Sequence, residues 1–244
     1  MIQLPSNFPK DGVEGGTMKG GIMTISELET ALGEAVERQK RAIKALASKH
    51  KGGETEEARA ALEAVLAAER ALAGAKGEQY AVPIDLPEWD VGAPMPHLLQ
   101  NDYRTFLFFY LRETDLKSEG DSPLVRQPNR SESEGFAVFT FERCLCTKMG
   151  TPNDEVLHGH PLYGKGLAGY RAMVVHNSNW LKELEAINAV HPQYRPESWR
   201  EHNHYILPFH DCTFECVAGG VKAETHLKSF VELLAEICIR LNAT

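Results

Sequence analysis

The sequence predicts an α+β protein, with an N-terminal antiparallel helical hairpin followed by a mostly antiparallel sheet and two or more packed helices. Over residues 24–76, apolar side chains recur three and four positions apart, which is typical of amphipathic helices. From residue 77 onward, short aromatic and β-branched runs alternate with turn residues, which is typical of strands. We therefore expect a disordered tail (1–23), the hairpin (24–76) and an α+β domain (77–244).

The N-terminal third of the chain divides into the tail and two helices. Residues 1–23 hold five glycines and two prolines without apolar periodicity, which predicts disorder. Thr24 and Glu27 have the spacing of a capping box, which begins a helix. The pair Gly52-Gly53 interrupts the apolar pattern, and an alanine-rich second helix is expected from about residue 55 to residue 75. Two helices separated by so short a break should pack as an antiparallel hairpin.

Beyond the hairpin, apolar runs bounded by turn residues predict five strands, and two amphipathic segments predict helices. Thr225 is a favoured N-cap residue and is expected to begin the second of these helices. The pair Gly219-Gly220 is expected to end the last pair of strands. The predicted strands cover 103–112, 135–146, 170–176, 204–209 and 213–218, and the first predicted helix covers 179–190.

The composition of the 244-residue chain excludes several classes of protein. It has 43% hydrophobic residues and a formal net charge of −8, as expected for a globular protein. No apolar run approaches the ~18 residues of a membrane span, and no apolar h-region marks a secretory signal. The acidic balance disfavours sequence-independent binding to nucleic acid. Five cysteines, an odd number, favour reduced thiols, so we expect a soluble, cytoplasmic protein.

Eight of the ten histidines fall between residues 158 and 226, which indicates a candidate site. Two H-x-H pairs occur there, and on a strand such a pair places both imidazoles on one face, ~6.5–7 Å apart. This separation suits two ligands of one transition-metal ion, completed either by a third histidine or by Asp211 or Glu215 as the carboxylate ligand. Alternatively, the imidazoles hydrogen-bond backbone carbonyls or act as acid–base groups without a metal. The candidate ligand or metal residues are His158, His160, His176, His202, His204, His210 and Asp211.

Two cysteine pairs and a glycine-rich segment provide further hypotheses. Each cysteine pair has even spacing, so on a strand both thiols would face one way, and two such strands could bind zinc. A thiol nucleophile and simple burial are the alternatives. Basic side chains in and beside the glycine-rich segment could contact an anion. The candidate zinc or thiol residues are Cys144, Cys146, Cys212 and Cys216, and the candidate anion contacts are Lys165 and Arg171.

The hairpin differs from the rest of the chain in charge as well as in periodicity. Residues 24–76 hold nine acidic and nine basic residues, and residues 1–23 also balance, so the whole net charge of −8 belongs to residues 77–244. An isolated alanine-rich hairpin buries little area and needs another surface, which favours a homo-oligomer formed through residues 24–76.

Two functions are compatible with these observations. The first is a binding or assembly protein, in which the hairpin serves oligomerisation and the α+β domain holds a small molecule or another protein. The second is a metal-dependent or histidine acid–base enzyme that uses the cluster between His158 and His210.

Overall fold

The structure is a computed structural model that describes residues 2–3, 23–48, 52–112 and 131–243. It contains five α-helices, ten strands and one 3₁₀-helix within these ranges. The helices are α1 (Ile25–Ser48), α2 (Gly52–Ala75), α3 (Asn179–Asn188), α4 (Pro196–Trp199) and α5 (Phe230–Asn242), and the 3₁₀-helix is Asp154–Gly159. The strands are β1 (Ile2–Gln3), β2 (Tyr80–Pro83), β3 (His97–Gln100), β4 (Thr105–Tyr110), β5 (Glu134–Glu142), β6 (Cys146–Gly150), β7 (Met173–His176), β8 (Asn203–Pro208), β9 (Thr213–Ala218) and β10 (Gly220–Lys228).

The strands form two five-stranded sheets, where the sequence predicts one. Their orders are β1-β10-β5-β4-β3 and β2-β7-β8-β9-β6, and every pairing is antiparallel. The main core contains side chains from both sheets, including Phe139 of β5 and Phe214 of β9, which are fully buried. The sheets therefore pack face to face. The α+β class is confirmed, and the antiparallel prediction holds in both sheets.

The prediction for the C-terminal region fails after Gly219. The β8–β9 pair ends at Ala218, as predicted, but the chain then enters β10 in the other sheet, a strand that the sequence analysis did not predict. The last helix does not begin at Thr225, which lies in β10 and pairs with Ala137. Its N-cap is Ser229, which forms a complete capping box with Glu232. Both Thr225 and Ser229 are good N-cap residues, and the long pairing of β10 with β5 selects the later one.

The hairpin is confirmed. Helix α1 begins after the Thr24–Glu27 capping contacts, in which the Thr24 backbone N–H donates to Glu27 at 2.7 Å. Of the described elements, only α2 packs extensively on α1, and α2 also touches β2. At the junction with the sheets, the Gly166 backbone N–H donates to the Glu69 carboxylate at 3.0 Å. Within the described chain, no helix combines the length and the hydrophobicity needed to cross a bilayer.

Part of the predicted tail joins a sheet. The two residues of β1 pair antiparallel with Lys222 and Ala223 of β10. The remaining tail residues up to 22 lie outside the described residues, so the predicted disorder stays a prediction.

Candidate functional site

A chain of three polar side chains connects α3 to the outer face of the β2-β7-β8-β9-β6 sheet. The Ser178 Oγ atom lies 2.8 Å from Nδ1 of His204, and Nε2 of His204 lies 2.7 Å from Oε2 of Glu215. Ser178 and His204 are buried, and the Glu215 side chain is largely shielded from solvent. Hydroxyl, imidazole and carboxylate thus stand in the order that activates a serine nucleophile.

Strand register brings the imidazole to the carboxylate. In the β8–β9 pair, His204 lies opposite Val217 and Ile206 lies opposite Glu215. Because side chains alternate across a strand, His204 and Glu215 share one face of the sheet and are diagonal neighbours. This diagonal contact explains how residues eleven positions apart meet at hydrogen-bond distance.

A tight turn at the end of β7 places the hydroxyl. Asn177 follows the strand with φ of 53°, a left-handed conformation that few residue types adopt readily. The next residue, Ser178, is the N-cap of α3, and its Oγ accepts the backbone N–H of Leu181 at 3.1 Å. The hydroxyl proton therefore remains for the imidazole of His204. The end of β7, the left-handed conformation of Asn177 and the start of α3 together position Ser178 beside His204.

The protonation states agree with this arrangement. Burial lowers the pKa of His204, although the Glu215 carboxylate partly opposes the shift. Burial raises the pKa of the Glu215 carboxyl, but the facing imidazoles of His160 and His204 outweigh it and hold that pKa well below its usual range. A neutral His204 donates from Nε2 to the ionised Glu215, which leaves its Nδ1 lone pair to accept from Ser178. His204 is thereby set up as a base toward Ser178.

A second imidazole and a lysine flank the carboxylate. Nε2 of His160 lies 3.9 Å from Oε1 of Glu215. Nδ1 of His160 accepts the backbone N–H of Leu162 at 3.2 Å, so in the neutral ring the proton is on Nε2 and points toward the carboxylate. The charge of Lys148 also stabilises ionised Glu215, and its Nζ lies 3.7 Å from the centre of the Trp180 ring.

Ser178 is one of the residues that line a cleft of about 220 Å³ beside α3. Its walls combine apolar side chains of β7 and α3 with the charged groups Lys182, Glu185 and Arg200. Among the candidate residues, His176 and His202 line the same cleft. His176 stacks on Tyr80 with ring centroids 5.1 Å apart, which fixes one wall.

The site contains the two-histidine, one-carboxylate set that the sequence predicts for a metal, but the ring nitrogens are already committed. Nε2 of His204 donates a hydrogen bond to the carboxylate of Glu215. A neutral histidine that binds a metal through Nε2 must carry its proton on Nδ1, but Nδ1 of His160 accepts a backbone N–H and is therefore unprotonated. Across residues 2–3, 23–48, 52–112 and 131–243, no group of three or more His, Cys, Asp or Glu side chains could hold a metal ion.

The other candidate histidines do not converge on Glu215. His210 belongs to a separate cluster, in which its Nδ1 lies 2.9 Å from Oδ2 of Asp154 and the Tyr170 hydroxyl donates to the same oxygen at 2.5 Å. The hydrogen bond to Asp154 raises the pKa of His210. Asp211 is largely exposed, 3.9 Å from the other nitrogen of His210. His158 is exposed near Tyr163. His158 lies in the 3₁₀-helix and His160 caps it, so this H-x-H pair does not occupy a strand.

The candidate cysteines are all free thiols, and they occupy different environments. A hydrogen bond from the Cys216 thiol, helped by Thr105, lowers the pKa of Cys144 to about 7. Burial raises the pKa of Cys146 to about 11 and also raises those of Cys212 and Cys216. Cys144 and Cys212 pack against the main core. Cys216 is fully buried within that core, so these three thiols pack as small core side chains.

The two candidate anion contacts are occupied by carboxylates. Lys165 pairs with Glu78 at 2.6 Å, and Arg171 pairs with Glu63 of α2 at 2.5 Å. The two ion pairs thus connect the 165–171 segment to α2 and to Glu78, which follows α2 in the chain. Both basic groups already have carboxylate partners and are not left for an anionic ligand.

The sequence analysis identified His204 and Glu215, whereas Ser178 only directly precedes the predicted helix over residues 179–190. The available signal was a serine between a strand and a helix, which is also the ordinary signature of an N-cap. Asp154 and Tyr170 carried no recognisable motif. No family model, curated protein or solved structure matches this chain.

Proposed function

We propose that the protein is a metal-free acyl-transfer enzyme that hydrolyses a small ester, with Ser178 as the nucleophile. The main support for this proposal is the chain of hydrogen bonds from Ser178 through His204 to Glu215. Ser178 Oγ lies 2.8 Å from Nδ1 of His204, and Nε2 of His204 lies 2.7 Å from Oε2 of Glu215. This proposal develops the histidine acid–base alternative of the sequence analysis into one reaction class.

In the first half-reaction, Ser178 Oγ forms a bond to the ester carbonyl carbon while its proton moves to Nδ1 of His204. The imidazolium is stabilised by ionised Glu215. When the tetrahedral intermediate collapses, the bond to the alcohol oxygen breaks and the alcohol takes the proton from His204. Water then attacks the acyl-serine by the same route, which releases the acid and restores Ser178.

The start of α3 supplies charge stabilisation. In the first turn of α3, the Asn179 N–H donates to Gln79 at 3.1 Å and the Leu181 N–H donates to Ser178 Oγ at 3.1 Å, so the Trp180 N–H is the donor left for an oxyanion. The helix dipole also makes this end positive. An oxyanion formed at the carbon bonded to Ser178 would lie next to this turn. Backbone N–H donors of this kind are the usual means of stabilising a tetrahedral oxyanion.

The cleft restricts the substrate. A volume of about 220 Å³ fits a small acyl group and not a macromolecule. Val175 and Leu181 favour an apolar acyl chain, while Lys182 and Arg200, which outnumber Glu185 in the cleft, favour a negative group at its end. We expect a short-chain ester that carries a carboxylate.

The decisive test is labelling of the purified protein with a fluorophosphonate probe, followed by mass spectrometry of the modified peptide, alongside hydrolysis of p-nitrophenyl acetate. Ser178 should be modified in wild type. Ser178→Asn should abolish labelling and hydrolysis while it keeps a helix-capping oxygen. Ser229→Ala is the matched control, because it removes the N-cap of α5 away from the site and should leave both activities intact.

Three results would overturn the proposal. The first is the absence of labelling at Ser178, and the second is full hydrolysis by Ser178→Asn. The third is a stoichiometric transition metal that is lost when His160 and His204 are replaced, since that result would restore the metal-dependent enzyme. Saturable ligand binding without labelling would favour the binding protein instead.

A further inference from the structure

The segment that leaves the helical hairpin contacts the turn that carries Ser178. Residues 78–80, which we call the exit segment, lead from the end of α2 into β2. Residues 176–179, which we call the serine turn, lead from the end of β7 into α3. Because β2 and β7 pair antiparallel with Tyr80 opposite His176, the two segments lie side by side at the same end of this strand pair.

The side chain of Gln79 binds the first residue of α3. Its Oε1 accepts the backbone N–H of Asn179 at 3.1 Å. Asn179 directly follows Ser178, and its N–H belongs to the first helical turn, whose donors have no acceptor within the helix. The acceptor is supplied by a residue 100 positions earlier in the chain. This bond therefore ties the start of α3 to the exit from the hairpin.

The other two residues of the exit segment contact the serine turn on its β7 side. The backbone carbonyl oxygen of Glu78 accepts a hydrogen bond from Nδ2 of Asn177 at 3.2 Å. The ring of Tyr80 stacks on His176, with centroids 5.1 Å apart and planes 9° from parallel. The serine turn is thus held by the exit segment both before and after Ser178.

The exit segment is itself anchored at several points. The Glu78 backbone N–H donates to the carbonyl oxygen of Ala73 in α2 at 2.9 Å, and the Glu78 carboxylate pairs with Lys165 at 2.6 Å. The buried Tyr80 ring packs against α2, where a Cβ on Gly74 would lie 3.4 Å from it. A segment fixed in this way can hold the serine turn in one position.

We infer that Gln79 is a positioning residue, which orients Ser178 through its hydrogen bond to the first N–H of α3. This inference rests on the proposed function, because it assigns Gln79 a role in the reaction of Ser178. Without the bond, the start of α3 can move relative to His204, which is held separately by β8. A misplacement of about 1 Å can lower a rate about a hundredfold. The hairpin then serves the site within a single chain, apart from any oligomerisation.

Gln79→Met tests the inference, because methionine has a similar size and is only a weak acceptor. Both kcat and kcat/KM for p-nitrophenyl acetate should fall about ten- to a hundredfold, with KM changed by less than about twofold. Fluorophosphonate labelling of Ser178 should slow by a similar factor. A side chain that only stabilised the fold would leave these constants unchanged in the folded protein.

Gln100→Met is the matched control. Gln100 lies in the sheet that does not contain the serine turn, and its Oε1 likewise accepts a hydrogen bond, from the Thr147 hydroxyl at 2.8 Å. Its replacement removes the same kind of acceptor and should leave hydrolysis and labelling unchanged. Circular dichroism should show the wild-type spectrum for both variants.

Asn179→Pro tests whether Gln79 acts through this bond. Proline is favoured at the first position of a helix and has no N–H, so it removes the donor. Ser178 before it has ψ of 123°, which a following proline allows. Asn179→Pro alone should slow labelling as Gln79→Met does, so the test does not depend on the folding of one variant. In the Asn179→Pro background, Gln79→Met should change the rate by less than about twofold, because the bond is already absent.

The outcomes separate this inference from the proposed function. If wild type is labelled at Ser178 and either Gln79→Met or Asn179→Pro is labelled at the wild-type rate, the inference is wrong and the proposed function stands. An equal loss from Gln79→Met in both backgrounds would show that Gln79 acts by another route and would also overturn the inference. A wild type that is not labelled at Ser178 would overturn both.

Discussion

Replacement of Glu215 by glutamine tests the Ser178–His204–Glu215 chain without any knowledge of the substrate. The Glu215 carboxylate offers one oxygen to Nε2 of His204 at 2.7 Å and the other to Nε2 of His160 at 3.9 Å. A glutamine side chain of nearly the same shape offers one oxygen and one NH₂ group. Its oxygen can still accept from His204 but without the negative charge, and the contact with His160 at 3.9 Å is too long to be a hydrogen bond.

The expected loss of stability follows from these contacts. A hydrogen bond to a charged group contributes about 1.5–3 kcal/mol and a neutral one about 1 kcal/mol, so weakening the bond from His204 costs about 1–2 kcal/mol. This loss corresponds to a melting temperature lowered by about 2–8 °C for a chain of this size.

Urea denaturation of wild type, Glu215→Gln and Glu183→Gln provides the measurement. Glu183 is exposed on α3, so its replacement should change the free energy of unfolding by less than about 0.5 kcal/mol. The pKa of Glu215 is lowered in the folded state, so its contribution should be complete above about pH 4.5 and decline as the pH falls below that value.

Nitrogen-15 NMR of the imidazole of His204 provides the second readout. In wild type the ring proton should be on Nε2, and in Glu215→Gln part of the population should move it to Nδ1. Such a ring can no longer accept the Ser178 proton, so the hydrolysis rate should fall by about two to four orders of magnitude. Equal stability of Glu215→Gln and Glu183→Gln, or a wild-type ring protonated on Nδ1, would refute the assignment of His204 as base.

Three further predictions concern the site, the second polar cluster and the junction with the hairpin. Burial lowers the pKa of His204 from 6.5, so the rate of fluorophosphonate labelling should be constant from about pH 8 to 6.5 and fall only below pH 6.5. A labelling rate that falls to half its maximum well above pH 6.5 would contradict this prediction. Asp154→Asn should lower the pKa of His210, followed by proton NMR, since that carboxylate raises it; an unchanged titration would show that the contact is absent in solution. Gly166→Ala should lower the free energy of unfolding by about 2 kcal/mol or more in urea, because Gly166 has φ of 83° and a Cβ there would lie 2.6 Å from the Ala81 carbonyl oxygen; a neutral effect would mean that the junction is looser than described.

Local sequence was sufficient for the elements whose signals act within a few residues. The Thr24–Glu27 capping box and the three-and-four spacing after it determine α1, because caps and amphipathic faces depend on neighbours within two turns. The strand over Thr213–Ala218 was predicted with its observed bounds. The hairpin followed from the interruption of the apolar pattern at Gly52-Gly53, although the second helix begins at Gly52 and not near residue 55, so both glycines lie in its first turn.

Tertiary structure decided the features that depend on pairing between distant segments. The sequence at Gly219-Gly220 reads as a turn, yet the main core needs β10 beside β5 in the second sheet, so the chain crosses between sheets there. That pairing holds Thr225 in a strand and leaves Ser229 to cap α5. N-cap propensity alone could not choose between Thr225 and Ser229, which are four residues apart and are both favoured N-cap residues.

The candidate site shows the same division. The sequence contained the histidines, the glutamate and a serine suited to begin a helix, and it indicated that the histidine-rich region carries chemistry. Only the β8–β9 register, which makes His204 and Glu215 diagonal neighbours, and the turn after β7, which sets Ser178 at hydrogen-bond distance, brought the three together. Which side chains meet depends on strand register and helix placement, and both are fixed by the packing of the whole core.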